Sequence, residues 1–264
     1  MNPPADHGED SYQGSGKLKG RVALVTGGDS GIGRAVAIAF AKEGADVAIS
    51  YLKEEEADAE DTSLRIQASG SRALKIPIDL RDASSADSLL GKVIAEFGRL
   101  DILLNNAAFQ MSHDDLEDVS AEEFEHTFRT NVFATFLLTQ GALQRLSPGG
   151  VVLNTTSIQA YQPSPSLVAY AATKSAILSM TKSMASHAMK RGVRINAVAP
   201  GPVWTPLIPS TMPEEKVKDF GAKTEFGRPA QPIELARIFV FLASDEASYV
   251  TGEIYGATGG RSPY

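Results

Sequence analysis

The sequence contains no cysteine. That absence excludes disulfides, thiolate nucleophiles and cysteine-ligated metals. Basic charge is scarce as well: 25 Lys and Arg stand against 32 Asp and Glu, a formal net charge of −7. Without a basic block, nucleic acid is not an expected partner. No apolar run approaches the ~20 residues needed to span a bilayer. The start "MNPPADHGEDSYQGSG" is polar and acidic, whereas a signal peptide is basic and then apolar. The expected setting is therefore the cytoplasm, with no membrane contact. The four histidines, His7, His113, His126 and His187, show no ligand spacing, so no metal site is expected.

What is present is an alternation of apolar runs and helical patterns. A chain of 264 residues, 43% hydrophobic, can bury a full core within one α/β domain. "RVALVTG" (21–27), "ADVAISY" (45–51), "RALKIPIDL" (72–80), "LDILLNNAA" (100–108), "GVVLNTTS" (150–157) and "GVRINAVAPG" (192–201) are nearly continuous Val/Ile/Leu runs. Such runs suit parallel strands covered on both faces, and "TGEIYGATGG" (251–260) can add one more. The order predicts an α/β, doubly wound parallel sheet with helices on both faces, binding ligands outside the carboxyl ends of its strands. Residues 1–16 read as a flexible N-terminal tail, 17–264 as the catalytic domain, and the Pro-rich stretch 202–230 as a substrate loop.

Between the first strand and first helix lies "TGGDSGIG" (26–33). A glycine-rich turn there lets backbone N–H groups approach a pyrophosphate at a helix N-terminus. Alone it could be a turn with no ligand. It is joined, in order, by "DL" (79–80), "NNAA" (105–108), Asn131, Ser157, "YAATK" (170–174) and "PGPVWT" (200–205). With this set the chain, from about residue 18 to about residue 260, resembles the short-chain dehydrogenase/reductases, and within them the sugar and polyol dehydrogenases and stress-induced oxidoreductases. The resemblance implies a Rossmann fold and a catalytic set of Asn131, Ser157, Tyr170 and Lys174. It implies a cofactor site at Gly27, Asp29, Ser30, Gly31, Ile32 and Gly33, continued by Tyr51, Leu52, Asp79 and Leu80. Asn106, Ala107, Ala108, Thr155, Tyr170, Lys174, Pro200, Gly201, Val203 and Thr205 complete it.

The chemistry follows from these residue types. Moving a hydride between a nicotinamide and an alcohol carbon needs a partner for the hydroxyl proton. Free tyrosine, with a pKa near 10, holds its proton too tightly to be an effective base at neutral pH. On a helix Tyr170 and Lys174 share a face. An ammonium about 4 Å away would be worth up to ~4 kcal/mol, or roughly three pKa units. The expectation is thus a Tyr170 brought close to working pH, with Ser157 polarising the substrate oxygen. By resemblance, Lys174 also holds the cofactor ribose, and the Asn131 backbone holds a water on the path to solvent.

The second strand ends in Tyr51, Leu52 and Lys53 with no carboxylate to greet a ribose 2′-OH. Lys53 could reach a 2′-phosphate, and Ser50 or Tyr51 could donate to it, so NADP is the expected cofactor, with NAD usable. Phe109, Gln159, Tyr161 and Trp204 are expected to bind a small alcohol or carbonyl substrate, with Gln110, Gln162 and the 203–226 loop completing the pocket walls. Two apolar helices, 121–146 and the one carrying "YAATKSAILSMTKSMASHAM", imply with the resemblance a homotetramer. The alternatives are a reductase of lipid-like or acyl carrier-bound ketones, and a nucleotide-binding regulatory protein without turnover.

Overall fold

A computed structural model describes residues 3–211 and 217–261. Seven strands form one parallel sheet: β1 (Val22–Thr26), β2 (Asp46–Tyr51), β3 (Ala73–Pro77), β4 (Ile102–Asn105), β5 (Val151–Thr155), β6 (Arg194–Pro200) and β7 (Ile254–Ala257). Their order is β3-β2-β1-β4-β5-β6-β7, so the winding reverses between β1 and β4. All seven fall inside the seven apolar runs. Each residue of β1 is buried, which explains why the strand reads as unbroken hydrophobicity.

Helices cover both faces. Ala23 and Val25 of β1 pack with α1 (Gly31–Lys42) and the late helix Pro232–Ala243, while Val22 and Leu24 pack on the other side with α3 (Ser85–Phe97). Between them along the chain lies α2 (Glu56–Ala68). The expected single helix over 121–146 is interrupted. It runs as α4 (Ala121–Phe128), a π-helical turn over Arg129–Phe133, and α5 (Ala134–Ala142). The 22-residue α6 (Val168–Met189) follows β5. The loop after β6 carries the short α7 (Leu207–Thr211), and Pro232–Ala243 is α8. Residues 212–216 of the expected substrate loop lie outside the described residues. No described helix is long and apolar enough to cross a membrane.

The N-terminal segment departs from the expected mobile tail. Lys42 Nζ donates to the carbonyls of Gly8 (2.9 Å), Glu9 (2.5 Å) and Tyr12 (2.9 Å). Tyr12 is buried and its hydroxyl donates to Glu43, which also accepts from the backbone N–H of Ser15 and Lys17, both at 2.9 Å. Arg34 pairs with Glu9 at 2.9 Å, and Ile233 N donates to Asp6 O at 3.1 Å. The composition is that of a tail, but α1 and α8 supply charged and amide partners that satisfy its backbone.

Candidate active site

A cleft of about 590 Å³ opens at the carboxyl ends of β1 and β4, where the winding reverses. Its phosphate side is the turn into α1. Gly27 and Gly31 adopt φ of 59° and 53°, the left-handed region open to glycine. A Cβ on Gly33 would stand 1.9 Å from Gly27 O, so this glycine serves helix–strand packing and does not line the cleft. Ser30 is the N-cap of α1, yet its side chain makes no capping bond and pairs with Asp29 instead. The first turn of α1 carries no acidic residue. Free amides at a helix N-terminus beside a cleft fit a dinucleotide pyrophosphate.

The adenosine end differs from the sequence expectation. Tyr51 donates its hydroxyl to Glu56 at 2.5 Å, and burial together with that bond pushes the phenol up to about 12. Lys53 is exposed and is not among the residues lining the cleft; Ser50 and Leu52 are. Asp79, expected at the cofactor site, is engaged by Arg81 through Nε at 2.8 Å, and both residues line the cleft. Glu55 and Asp58 face the same space, and the buried Asp29 carboxyl is pushed up to about 6 by burial and then by Glu55. Neither acid is among the site residues expected from the sequence. Nothing in "KEEE" marks which of its turns faces inward.

Beneath the middle of the cleft, side chains lock the strand ends together. Thr26 Oγ1 accepts from the N–H of Asn106 (2.9 Å) and of Ala107 (3.0 Å). Asn106 Nδ2 donates to Gly27 O, and Thr155 Oγ1 donates to Asn106 Oδ1, each at 3.2 Å. Asn106, Ala107, Ala108 and Thr155 all line the cleft.

The end of the cleft opposite these charges is lined by Tyr170 and Lys174. Tyr170 is half-buried on α6 and Lys174, one turn on, is 2% exposed. Lys174 Nζ donates to Thr155 O at 2.9 Å and lies 5.3 Å from the centre of the Tyr170 ring. Burial moves both groups toward neutrality: the phenol goes up to about 12, against a hydrogen bond from Ser157 that lowers it, and the amine down to about 7. The expected downward shift of Tyr170 is not found. The attraction that would produce it needs both groups ionised, and desolvation opposes ionising either. Ser157 is buried at the end of β5, where its oxygen accepts from Gln159 N at 3.1 Å.

Asn131 is fully buried within the π-helical turn. Its side chain accepts from Phe109 N (2.7 Å) and donates to Phe109 O (2.9 Å) and Thr173 Oγ1 (3.0 Å), clamping the wall after β4 to α6. Its carbonyl, assigned by resemblance to a water, accepts from Thr135 Oγ1 at 2.8 Å.

Of the expected substrate walls, Phe109 lines the cleft, with His126 stacked on it at 4.1 Å between ring centres. His126 and Thr130 line the cleft and were not expected from the sequence; only their place five residues and one residue before Asn131 could have pointed to them. Trp204, Gln159 and Tyr161 do not line the cleft. Trp204 Nε1 donates to Pro3 O at 2.9 Å, Gln159 accepts from Ser164 N at 2.6 Å, and Tyr161 packs on the small cluster around Ala197 and Ile254. Pro200, Gly201 and Val203 also stand behind the lining. Gly201 abuts Thr258, and Val203 pairs with Ala230. Thr205 packs against Gly31 at the edge of the cleft, and Pro206 and Leu207 continue the lining.

Comparison with known proteins gives consistent matches. The family model described as enoyl-(acyl carrier protein) reductase matches residues 27–262. The uncharacterized oxidoreductase YhdF of Bacillus subtilis is 53% identical over 261 residues, covering 99% of this chain and 90% of that protein. The chloroplastic NADPH-dependent aldehyde reductase 1 of Arabidopsis thaliana is 43% identical, covering 98% and 91%. Among solved structures, a short chain dehydrogenase from Burkholderia cenocepacia in complex with NADP superposes with a TM-score of 0.86 at 31% identity, covering 92% of this chain and 98% of that one.

Proposed function

This chain belongs to the short-chain dehydrogenase/reductases, NAD(P)-dependent oxidoreductases, and from that premise we propose that it reduces small aldehydes or ketones with NADPH, Tyr170 supplying the proton. One observation carries the reading: Tyr170 and Lys174, one turn apart on α6, line the cleft together, with Lys174 Nζ 5.3 Å from the centre of the Tyr170 ring, and the direction follows the NADPH-dependent aldehyde reductase relative. A protonated phenol beside a serine hydroxyl presents two donors to a carbonyl oxygen, and stabilising the charge that grows there lowers the barrier.

A bound nicotinamide dinucleotide supplies the hydride. The protein's own work is the rest. The α1 N-terminus and the Gly27–Gly31 turn hold the phosphates, and Thr155, Asn106 and Thr205 shape the space between. Ser157 orients the substrate oxygen, and Tyr170 transfers its proton to that oxygen. Lys174, held by Thr155 O, stands beside the phenol and favours its anion whenever the amine is protonated. Preference for NADPH is part of the proposal. It rests on the absence of a carboxylate at the end of β2 and on the NADPH-dependent relative.

A homotetramer in the cytoplasm belongs to the same reading. Phe133 and Phe136 are 56% and 40% exposed on the face formed by the π-helical turn and α5, apolar surface that suits a two-fold partner. Light scattering at micromolar concentration should give four times the 28.0 kDa chain mass, and a monomer would reject the assembly. The activity is tested by following NADPH absorbance with a panel of aldehydes, sugars, diketones and a 3-ketoacyl thioester. Consumption with the small carbonyls supports the reading. Consumption only with the thioester overturns it in favour of an acyl-chain reductase.

A further inference from the structure

Gln110 is 4% exposed, just beyond the Phe109 wall, and does not line the cleft. Its Nε2 donates to Thr211 Oγ1 at 3.1 Å, and that hydroxyl donates onward to Leu207 O at 2.6 Å. Thr211 and Leu207 are the two ends of α7. One buried amide thus ties the helix after β6 to the segment after β4.

Both ends of this tie lead to the site. On one side, the residue before Gln110 is clamped through its N–H and its C=O by the buried Asn131. On the other, α7 brings Leu207 and Ser210 to the cleft, and Thr205 just before it stands opposite Gly31, whose Cβ would lie 3.2 Å from Thr205 Cβ. The turn into α1 and the stretch leading into α7 therefore meet at the edge of the cleft, and α7 borders the space a dinucleotide would fill. Gln110 is buried and Thr211 half-buried, so the tie is partly shielded from water, and breaking it leaves the buried amide short of a partner.

We propose that Gln110 is a positioning residue that latches α7 over the cofactor cleft and thereby sets how fast the cofactor leaves. The inference rests on the reading of this cleft as a nicotinamide dinucleotide site. Gln110 acts through Thr211 and α7 and touches no reacting atom. A purely structural role would lower the melting temperature of a Gln110 variant while leaving cofactor release as it was.

Stopped-flow fluorescence of NADPH release from the full-length protein separates these. Gln110→Ala should accelerate release about fivefold, the scale of one net buried hydrogen bond. Thr211→Val should do the same, and the double variant should be no faster than either single, because both remove the same link. Thr211→Ser, which keeps the hydroxyl, should release NADPH at the wild-type rate. Unchanged release in Gln110→Ala, or effects that multiply in the double variant, would overturn the latch. A wild-type protein that binds neither NADPH nor NADH would instead overturn the dinucleotide reading, and the latch with it.

Discussion

At the dry end of the cleft Lys174 is buried against Thr155 O, and removal from water presses its amine toward the neutral form. At the adenosine end Arg81 and Asp79 are about half-exposed, with Glu55 and Asp58 beside them. The first region has two titratable groups, each pressed toward its neutral form. The second has several charges in contact with solvent, where pairs are worth little and salt screens them. Changes at the dry end should therefore be large and insensitive to salt. Changes at the wet end should be small and salt-dependent.

The largest contrast is expected at Lys174. Lys174→Met should lower turnover by about 10²–10⁴-fold, the usual contribution of an acid–base group. It should also change how stability depends on pH. The folded amine titrates at about 7 and the unfolded one near 10.5. Between those values the folded protein holds fewer protons than the unfolded chain, so wild-type stability rises with pH across that window. Thermal melts at pH 7 and pH 9.5 should show the rise in the wild type and its loss in the variant. An unaltered slope in the variant would assign the rise to another group.

Next in size is the clamp between the two ends. Asn131→Ala removes three hydrogen bonds, one buried and two part-buried, and takes the Asn131 partner from Phe109 N and O. Each orphaned buried group costs about 1–3 kcal/mol, so urea denaturation should show a loss of about 2–4 kcal/mol. A loss below 1 kcal/mol would mean that water takes over these bonds.

The smallest effect belongs to the wet end. Replacing Glu55 and Asp58 together by Gln and Asn should tighten NADPH binding about three- to tenfold at low salt and leave NADH unchanged, because only the former carries an extra phosphate near the end of β2. Equilibrium titration in 0.05 M and 0.5 M salt checks both halves of that statement. Equal gains for the two cofactors would place these acids away from the 2′ position.

The same contrast explains what could be read in the chain beforehand. The sheet was legible because parallel strands buried on both faces leave unbroken apolar runs, as in Val22–Thr26. The glycine turn and the Tyr170–Lys174 pair were legible because spacing along one strand–helix junction or one helix is local. The charge state of that pair was not, since burial is a property of the assembled fold. Trp204 was misplaced for a similar reason: its partner is Pro3, some two hundred residues away in a segment whose composition reads as a tail. The adenosine end was hardest. Tyr51, Glu56, Arg81 and Asp79 divide their charges among themselves by rotamer and register, which no local pattern records.

The central claim is that Tyr170 acts in proton transfer and not in holding the cofactor. Tyr170→Phe, measured for both NADPH affinity and turnover of a small carbonyl substrate, tests it most directly. The account predicts a Kd within about twofold of wild type and turnover lower by about 10²–10⁴-fold, since the phenol is used in the transition state alone. A Phe variant that keeps a large fraction of the wild-type rate would contradict it.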